Sequence, residues 1–296
     1  MNATNATSTP KRAIVFTIGA IFLFGLMDAT AKSIGQQTNT LLAIWARYTG
    51  QMLLVALIVA PRIKQVATSQ YPKLQVARSI LLMLATLFFF LSFRTIGLAE
   101  ATAVMSLNPL LITLGGAIFL SEALGPRRII GILIAFVGAL IIIRPGTDVF
   151  QPAALLPLVA ATCFATYALI TRRVGPDEDV WTSLFYTGLV GAIVSTCTLP
   201  FIWPDELAPH VYAQMALLAV FGTTGQLLLI RALSMAEAGM LAPFNYTGLV
   251  FAVFWGFVLF DEWPDALTLL GTVVIAGAGL YVWQRETQLK TAKRTT

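Results

Sequence analysis

Two stretches of the chain read almost as one: residues 94–108, RTIGLAEATAVMSLN, and residues 231–245, RALSMAEAGMLAPFN. Each runs from an arginine through Ala-Glu-Ala to an asparagine at the same intervals. The residues are Arg94, Ala99-Glu100-Ala101 and Asn108, then Arg231, Ala236-Glu237-Ala238 and Asn245. The match extends outward. Upstream, Tyr48-Thr49-Gly50 returns as Tyr186-Thr187-Gly188. Downstream, after a short insertion, Glu122, Gly131 and Leu140 find Glu262, Gly271 and Leu280. A chain that repeats itself over its length is a duplication, so the fold is built from one unit used twice.

Composition says where that unit lives. Of 296 residues, 19 are Lys or Arg and 14 are Asp or Glu, 11% in all, against 57% apolar residues and a mean hydropathy of +0.81. Soluble domains carry about 25% charged residues, and this chain has too little polar surface to cover a core in water. A bilayer core needs about 20 apolar residues per helix. Ten such stretches occur, at 13–33, 41–60, 75–97, 99–120, 127–144, 153–173, 180–200, 211–236, 238–260 and 266–284. Unbroken runs such as Ile129–Ile143 exclude an alternating transmembrane barrel. The expected fold is therefore all-α, with ten transmembrane helices. The chain divides into a disordered tail (1–12), two five-helix repeats (13–146 and 151–284) and a second tail (285–296). Lys11-Arg12, an apolar run and Ala29-Thr30-Ala31 imitate a signal peptide. Cleavage would leave the span at 153–173 without its mate, so the first span is expected to stay. Five is odd, so the second repeat enters the membrane from the opposite side. Inverted repeats of this kind build many secondary transporters.

Charge sets the expected orientation. Fourteen of the 19 basic residues, from Lys11 and Arg12 through Arg78 and Arg173 to Arg294, fall on the side of the termini. Lys32 and Arg144 fall on the other, which makes both termini cytoplasmic. The basic balance is then a topology signal with the lipid bilayer as partner, not a nucleic-acid surface. Cys163 and Cys197 sit inside spans without framework spacing and read as small buried packing residues.

The chain resembles the drug/metabolite transporter superfamily. The likeness rests on the ten-span plan, the Ala-Glu-Ala openings of the fourth and ninth spans, Glu122 and Glu262 behind them, and the Gly-rich fifth and tenth spans. Each half resembles an EamA-type repeat, and among the superfamily's members the likeness is to the bacterial aromatic amino-acid exporters. That resemblance implies a central cavity between the halves and export across the inner (plasma) membrane. It leaves the substrate open.

The candidate site residues lie near mid-span. Asn108-Pro109 and Asn245-Tyr246 occupy matching places, and Pro109 and Pro243 each deny a hydrogen bond to the carbonyl four residues back. Such kinks expose backbone groups suited to a polar head group; interhelical hydrogen bonding is the plainer use of the asparagines. Met105, Tyr167, Phe244 and Tyr246 supply soft and aromatic surface at that level, and ordinary core packing explains any one of them equally. Gln226, next to Gly225 and four residues after Gly222 in the eighth span, needs a partner or a cavity for its amide. Asp28 and Lys32 are four residues apart and can pair, and with Arg47 they form a candidate gate or charge pair. Arg94 with Glu100 and Arg231 with Glu237 are expected to clamp tight hairpins. Gly131, Ala135 and Ala139, echoed by Gly271 and Gly279, make a stripe for close helix packing within the subunit or in a homodimer.

The expected function is secondary transport without a cofactor: export of small amphipathic metabolites, amino acids including aromatic ones, by alternating access. Multidrug or organic-cation efflux is the alternative, with Asp28 as its acid. The single histidine, His210, lies in a loop, so the spans hold no metal site, and neither an enzyme's acid–base cluster nor a Walker motif is present.

Overall fold

The computed structural model describes residues 8–120, 126–146, 151–174, 178–235 and 241–295. Among them are helices and no strand. The first three spans are Ser8–Gln37, Thr40–Val59 and Pro72–Ser92. The fourth is split into Leu98–Met105 and Asn108–Leu120, and the fifth is Pro126–Ile143. In the second half, Leu156–Val174, Val180–Thr196 and Pro209–Met235 are followed by a ninth span made of a 3-10 turn, Ala242–Tyr246, and a helix, Thr247–Phe260. The tenth, Ala266–Thr295, runs on past residue 284. Among the described residues, seven of these segments are long and apolar enough to cross a membrane unaided, and three shorter apolar helices complete the ten. Ten transmembrane helices in two inverted repeats is the architecture.

The chain marks its own helix ends. Asn39 accepts from the Leu41 amide (2.9 Å) and Asp179 from that of Trp181 (3.2 Å), each quieting a donor that the first turn leaves free. Pro72 and Pro209 open the third and eighth spans, where a missing N–H costs nothing. The ninth closes on Asp261 in the left-handed region (φ 55°), with the Glu262 amide reaching back to the Gly256 carbonyl.

Packing repeats as the sequence does. The first span lies along the eighth and the third along the sixth; first and sixth are repeat mates, as are third and eighth, so each contact copies the other. The second packs on the seventh and the fifth on the tenth, each helix against its own counterpart, as a pseudo-two-fold axis requires. The small-residue stripe is used there, within the subunit. A Cβ on Gly271 would lie 2.6 Å from the Gly138 carbonyl, so only glycine lets these backbones meet. Large side chains such as Leu57 (73% exposed) and Val273 (68%) cover the outside, where lipid rather than water solvates them.

At one end of the bundle, Glu178 gathers the Ser69 hydroxyl (2.6 Å) and the amides of Gln70 (2.7 Å) and Tyr71 (3.2 Å), tying a connection of the first half to the second. The opposite end is the one that carries Lys32. The cysteines differ from expectation: Cys163 is half-buried and Cys197 exposed, which an apolar solvent tolerates.

Candidate functional site

The fourth span breaks just before its repeat asparagine, and in the ninth the repeat asparagine falls in a 3-10 turn ahead of the helix. The fourth span stops at Met105, turns through Ser106 and Leu107, and restarts at Asn108 with Pro109 next. Proline has no N–H for the Met105 carbonyl, and its ring crowds that oxygen. In the ninth span the break is the 3-10 turn that contains Asn245, and Thr247 Oγ1 donates to the Phe244 carbonyl (2.7 Å). Asn108 is half-buried with its Oδ1 enclosed and accepting nothing. Asn245 is exposed and Phe244 partly buried. Met105 packs into the main core cluster with Met27 and Phe90. Tyr246 turns away from that cluster: its hydroxyl lies against Gly279 of the tenth span, buried and without a partner.

A polar wall runs down the second, third, sixth and seventh spans. Arg47, 8% exposed, donates through Nη1 to Thr86 Oγ1 (2.8 Å), and its guanidinium stands 5.2 Å from the Tyr48 ring and 5.8 Å from that of Phe90. Tyr48 Oη donates to the Leu82 carbonyl (3.1 Å) and is hydrogen-bonded to Thr86 Oγ1 (2.8 Å), whose hydroxyl is then the donor. Two turns along the third span, Arg78 donates to Gln75 Oε1 (2.8 Å) and Tyr167 Oη (3.2 Å), over whose ring it sits. Gln75 reaches Ser183 (3.4 Å) and Gln51 the Leu184 carbonyl (3.2 Å). Arg78, counted among the charges on the side of the termini, is fully buried inside a helix. Among the described residues no carboxylate forms a salt bridge with Arg47 or Arg78. Aromatic faces and neutral oxygens offset part of the cost of such a buried cation, not all of it.

Opposite stand Asp28 on the first span and Thr223 and Gln226 on the eighth. Asp28 does not pair with Lys32. Lys32 instead meets Glu262 Oε1, while Glu262 Oε2 caps the Leu98 amide (3.1 Å) and so fixes the start of the fourth span. The physical reason is the turn at Asp261, which carries Glu262 over the end of the first span, whereas Asp28 sits a turn deeper along that helix. Asp28 is half-buried; among the described residues it makes no hydrogen bond, and the charge acting on it is that of Arg47. Gln226 Oε1 and Thr223 Oγ1 are likewise buried and unpartnered. The Arg94–Glu100 clamp is also absent. Glu100 accepts from its own Gly97 amide (3.1 Å) and from Thr268 (3.4 Å), and Arg94 lines a cavity of about 140 Å³ with Lys32, Thr40 and Phe90. Glu122 and Glu237 lie outside the described residues. His210 bonds Gln37 at the Lys32 end, and among the described residues no group of His, Cys, Asp or Glu stands ready to hold a metal.

The family model for EamA-like transporters matches the chain twice, over residues 11–144 and 151–283. The chain belongs to the EamA-like transporter family. It is a multi-pass membrane transporter of small metabolites, not an enzyme. An S-adenosylmethionine uptake transporter of Rickettsia bellii is 28% identical to this EamA-like chain over 90% of it and 91% of the relative. A pseudopaline exporter of Pseudomonas aeruginosa is 28% identical over 90% and 94%. A riboflavin transporter of Vibrio cholerae is 28% identical over 66% and 65%. A solved crystal structure at 18% identity superposes with a TM-score of 0.66 over 94% of this chain and 98% of that one, and shares the fold. Sequence reasoning missed Arg78 and Thr223. A mid-helix threonine carries no signal, and Arg78 was hidden among loop charges.

Proposed function

We propose that this chain is a secondary transporter that exports small amphipathic metabolites, amino acids with aromatic side chains among them. It works by alternating access at a cavity between residues 13–146 and 151–284, in a bacterial inner membrane with both termini cytoplasmic. The observation that carries this reading is the irregular backbone at the two repeat asparagines, the fourth-span break before Asn108 and the 3-10 turn that holds Asn245. Discontinuous helices at matching places in inverted repeats are where transporters bind their cargo, because freed backbone groups replace water there. Asn108, Gln226, Tyr167 and Met105 are the proposed walls, with Phe244, Asn245 and Tyr246 forming the ninth-span break and Pro109 and Pro243 sustaining the kinks. The relatives' names include both uptake and export, and one names a cargo, S-adenosylmethionine, that is an amino-acid derivative.

Proteoliposomes loaded with phenylalanine are expected to lose it faster with the protein than without. Asn108→Ala should cut that flux by about tenfold, the worth of one hydrogen bond to a charged group, with Asn245→Ala costing less. Flux of no amino acid, or flux indifferent to both variants, overturns the reading. Organic-cation efflux is the second reading, favoured by the unpartnered Asp28 carboxylate. Cation resistance lost in Asp28→Asn, together with no amino-acid flux, would establish it.

A further inference from the structure

We infer that Asp28 and Arg47 form a head-group clamp, the Asp28 carboxylate taking a substrate ammonium and the Arg47 Nε–H a substrate carboxylate. The cargo is then a zwitterion with both charges close together, as in an α-amino acid. This rests on the transport reading and narrows its substrate class.

Two opposite charges inside a membrane protein ordinarily collapse onto each other, since isolation in a low dielectric is costly to each. Here they do not. Asp28 feels the charge of Arg47 and forms no salt bridge or hydrogen bond with it. Arg47 is held back by Thr86 and by the Tyr48 and Phe90 rings, which leaves its Nε buried with nothing to donate to. The two groups share one level of the bundle. Gly222 of the eighth span faces Met27, the neighbour of Asp28, and the Arg47 stem; a Cβ there would lie 3.0 Å from Met27 Sδ and 3.9 Å from Arg47 Cγ. The next residue, Thr223, and Gln226 one turn on bring two more unpartnered oxygens, both acceptors that an ammonium can use.

Charge balance chooses among ligands. A simple cation would satisfy Asp28 and leave Arg47 Nε orphaned. A simple anion would do the reverse, and a neutral aromatic would leave both. A zwitterion neutralises both at once. Lys32 cannot take the place of Arg47, because Glu262 already holds it.

Equilibrium binding to the purified full-length protein tests this with four probes. These are L-phenylalanine, S-adenosylmethionine as a second zwitterion, phenethylamine, which lacks the carboxylate, and 3-phenylpropionate, which lacks the ammonium. Wild-type protein should hold phenylalanine about tenfold or more tighter than either single-charge analogue. Asp28→Asn should erase the preference over 3-phenylpropionate and Arg47→Gln the preference over phenethylamine. Arg47→Lys should restore part of the second. Equal wild-type affinity for phenylalanine and phenethylamine overturns the clamp even if both variants fail to fold. If amino-acid flux persists alongside that equality, the clamp falls and transport stands. If only phenethylamine binds and neither zwitterion does, the clamp and the amino-acid reading fall together.

Discussion

The crossing of the fifth and tenth spans and the interior facing the first, second and eighth are built from the same repeat to opposite ends. At the crossing, Gly138 and Gly271 bring backbone against backbone, and Ala135, Ala139, Ile275 and Ala278 fill what remains. In the interior, Arg47, Thr223 and Gln226 keep buried polar atoms with no partner. The first region spends its sequence on contact and the second withholds contact. A duplicated unit thus yields one interface that holds the halves together and another left incomplete, the region where the proposed cargo would finish the bonding.

The largest effect should come from the crossing. Gly271→Val places a branched side chain 2.6 Å from the Gly138 carbonyl, and overpacking of this kind costs about 1–3 kcal/mol or more. A marked fall in melting temperature in detergent is expected. Gln226→Leu is the converse: it removes a buried unsatisfied oxygen, so melting should hold or rise while transport drops. Equal destabilisation by both would erase the contrast.

Next comes the Lys32–Glu262 latch, which is itself unequal. The Lys32 side chain is 1% exposed and that of Glu262 34%. Glu262→Gln strands a buried cation and should cost about 3 kcal/mol, whereas Lys32→Met leaves a carboxylate that water and the Leu98 amide still serve, costing about 1 kcal/mol. Thermal melts that rank the two in reverse would show that Lys32 finds another partner.

The smallest effect is at the surface. Arg144 and the Thr268 backbone hold the Asp265 carboxyl down from 3.8 to about 2. A lowered folded-state value means stability that is fully present above about pH 4 and lost as pH falls toward 2. Because Asp265 is half exposed, solvent screens most of it. The melting difference between wild type and Asp265→Asn should be slight at neutral pH and vanish near pH 2; a difference that persists at pH 2 would assign it to something other than this charge.

Much of the architecture was legible because membranes impose a length. Ten apolar runs and their breakers located the spans to within a few residues, save the end of the tenth, which runs on to Thr295, and Pro109 located the fourth-span break at the turn before it. The pairings were not legible. Asp28 is four residues from Lys32, and local spacing favours their union, but the left-handed turn at Asp261 delivers Glu262 from 230 positions away. Arg78 looks like its loop neighbours, since counting charge says nothing of burial. Tyr246 reads as a cavity aromatic until Gly279, a residue with no side chain to repel it, supplies a berth.

The meeting of Gly138 and Gly271 has a mechanical consequence. Where two backbones touch directly, no side chain is available to slide or repack, so the contact behaves as a fulcrum. Displacement of one half on the other becomes rotation, with an arc that is nearly nil at the glycines and lengthens with distance from them. The first and second spans do not pack extensively on either fulcrum helix. They therefore ride the long end of the lever, and on the proposed mechanism a few degrees of tilt at the pivot would carry Asp28 and Arg47 further than any residue of the crossing.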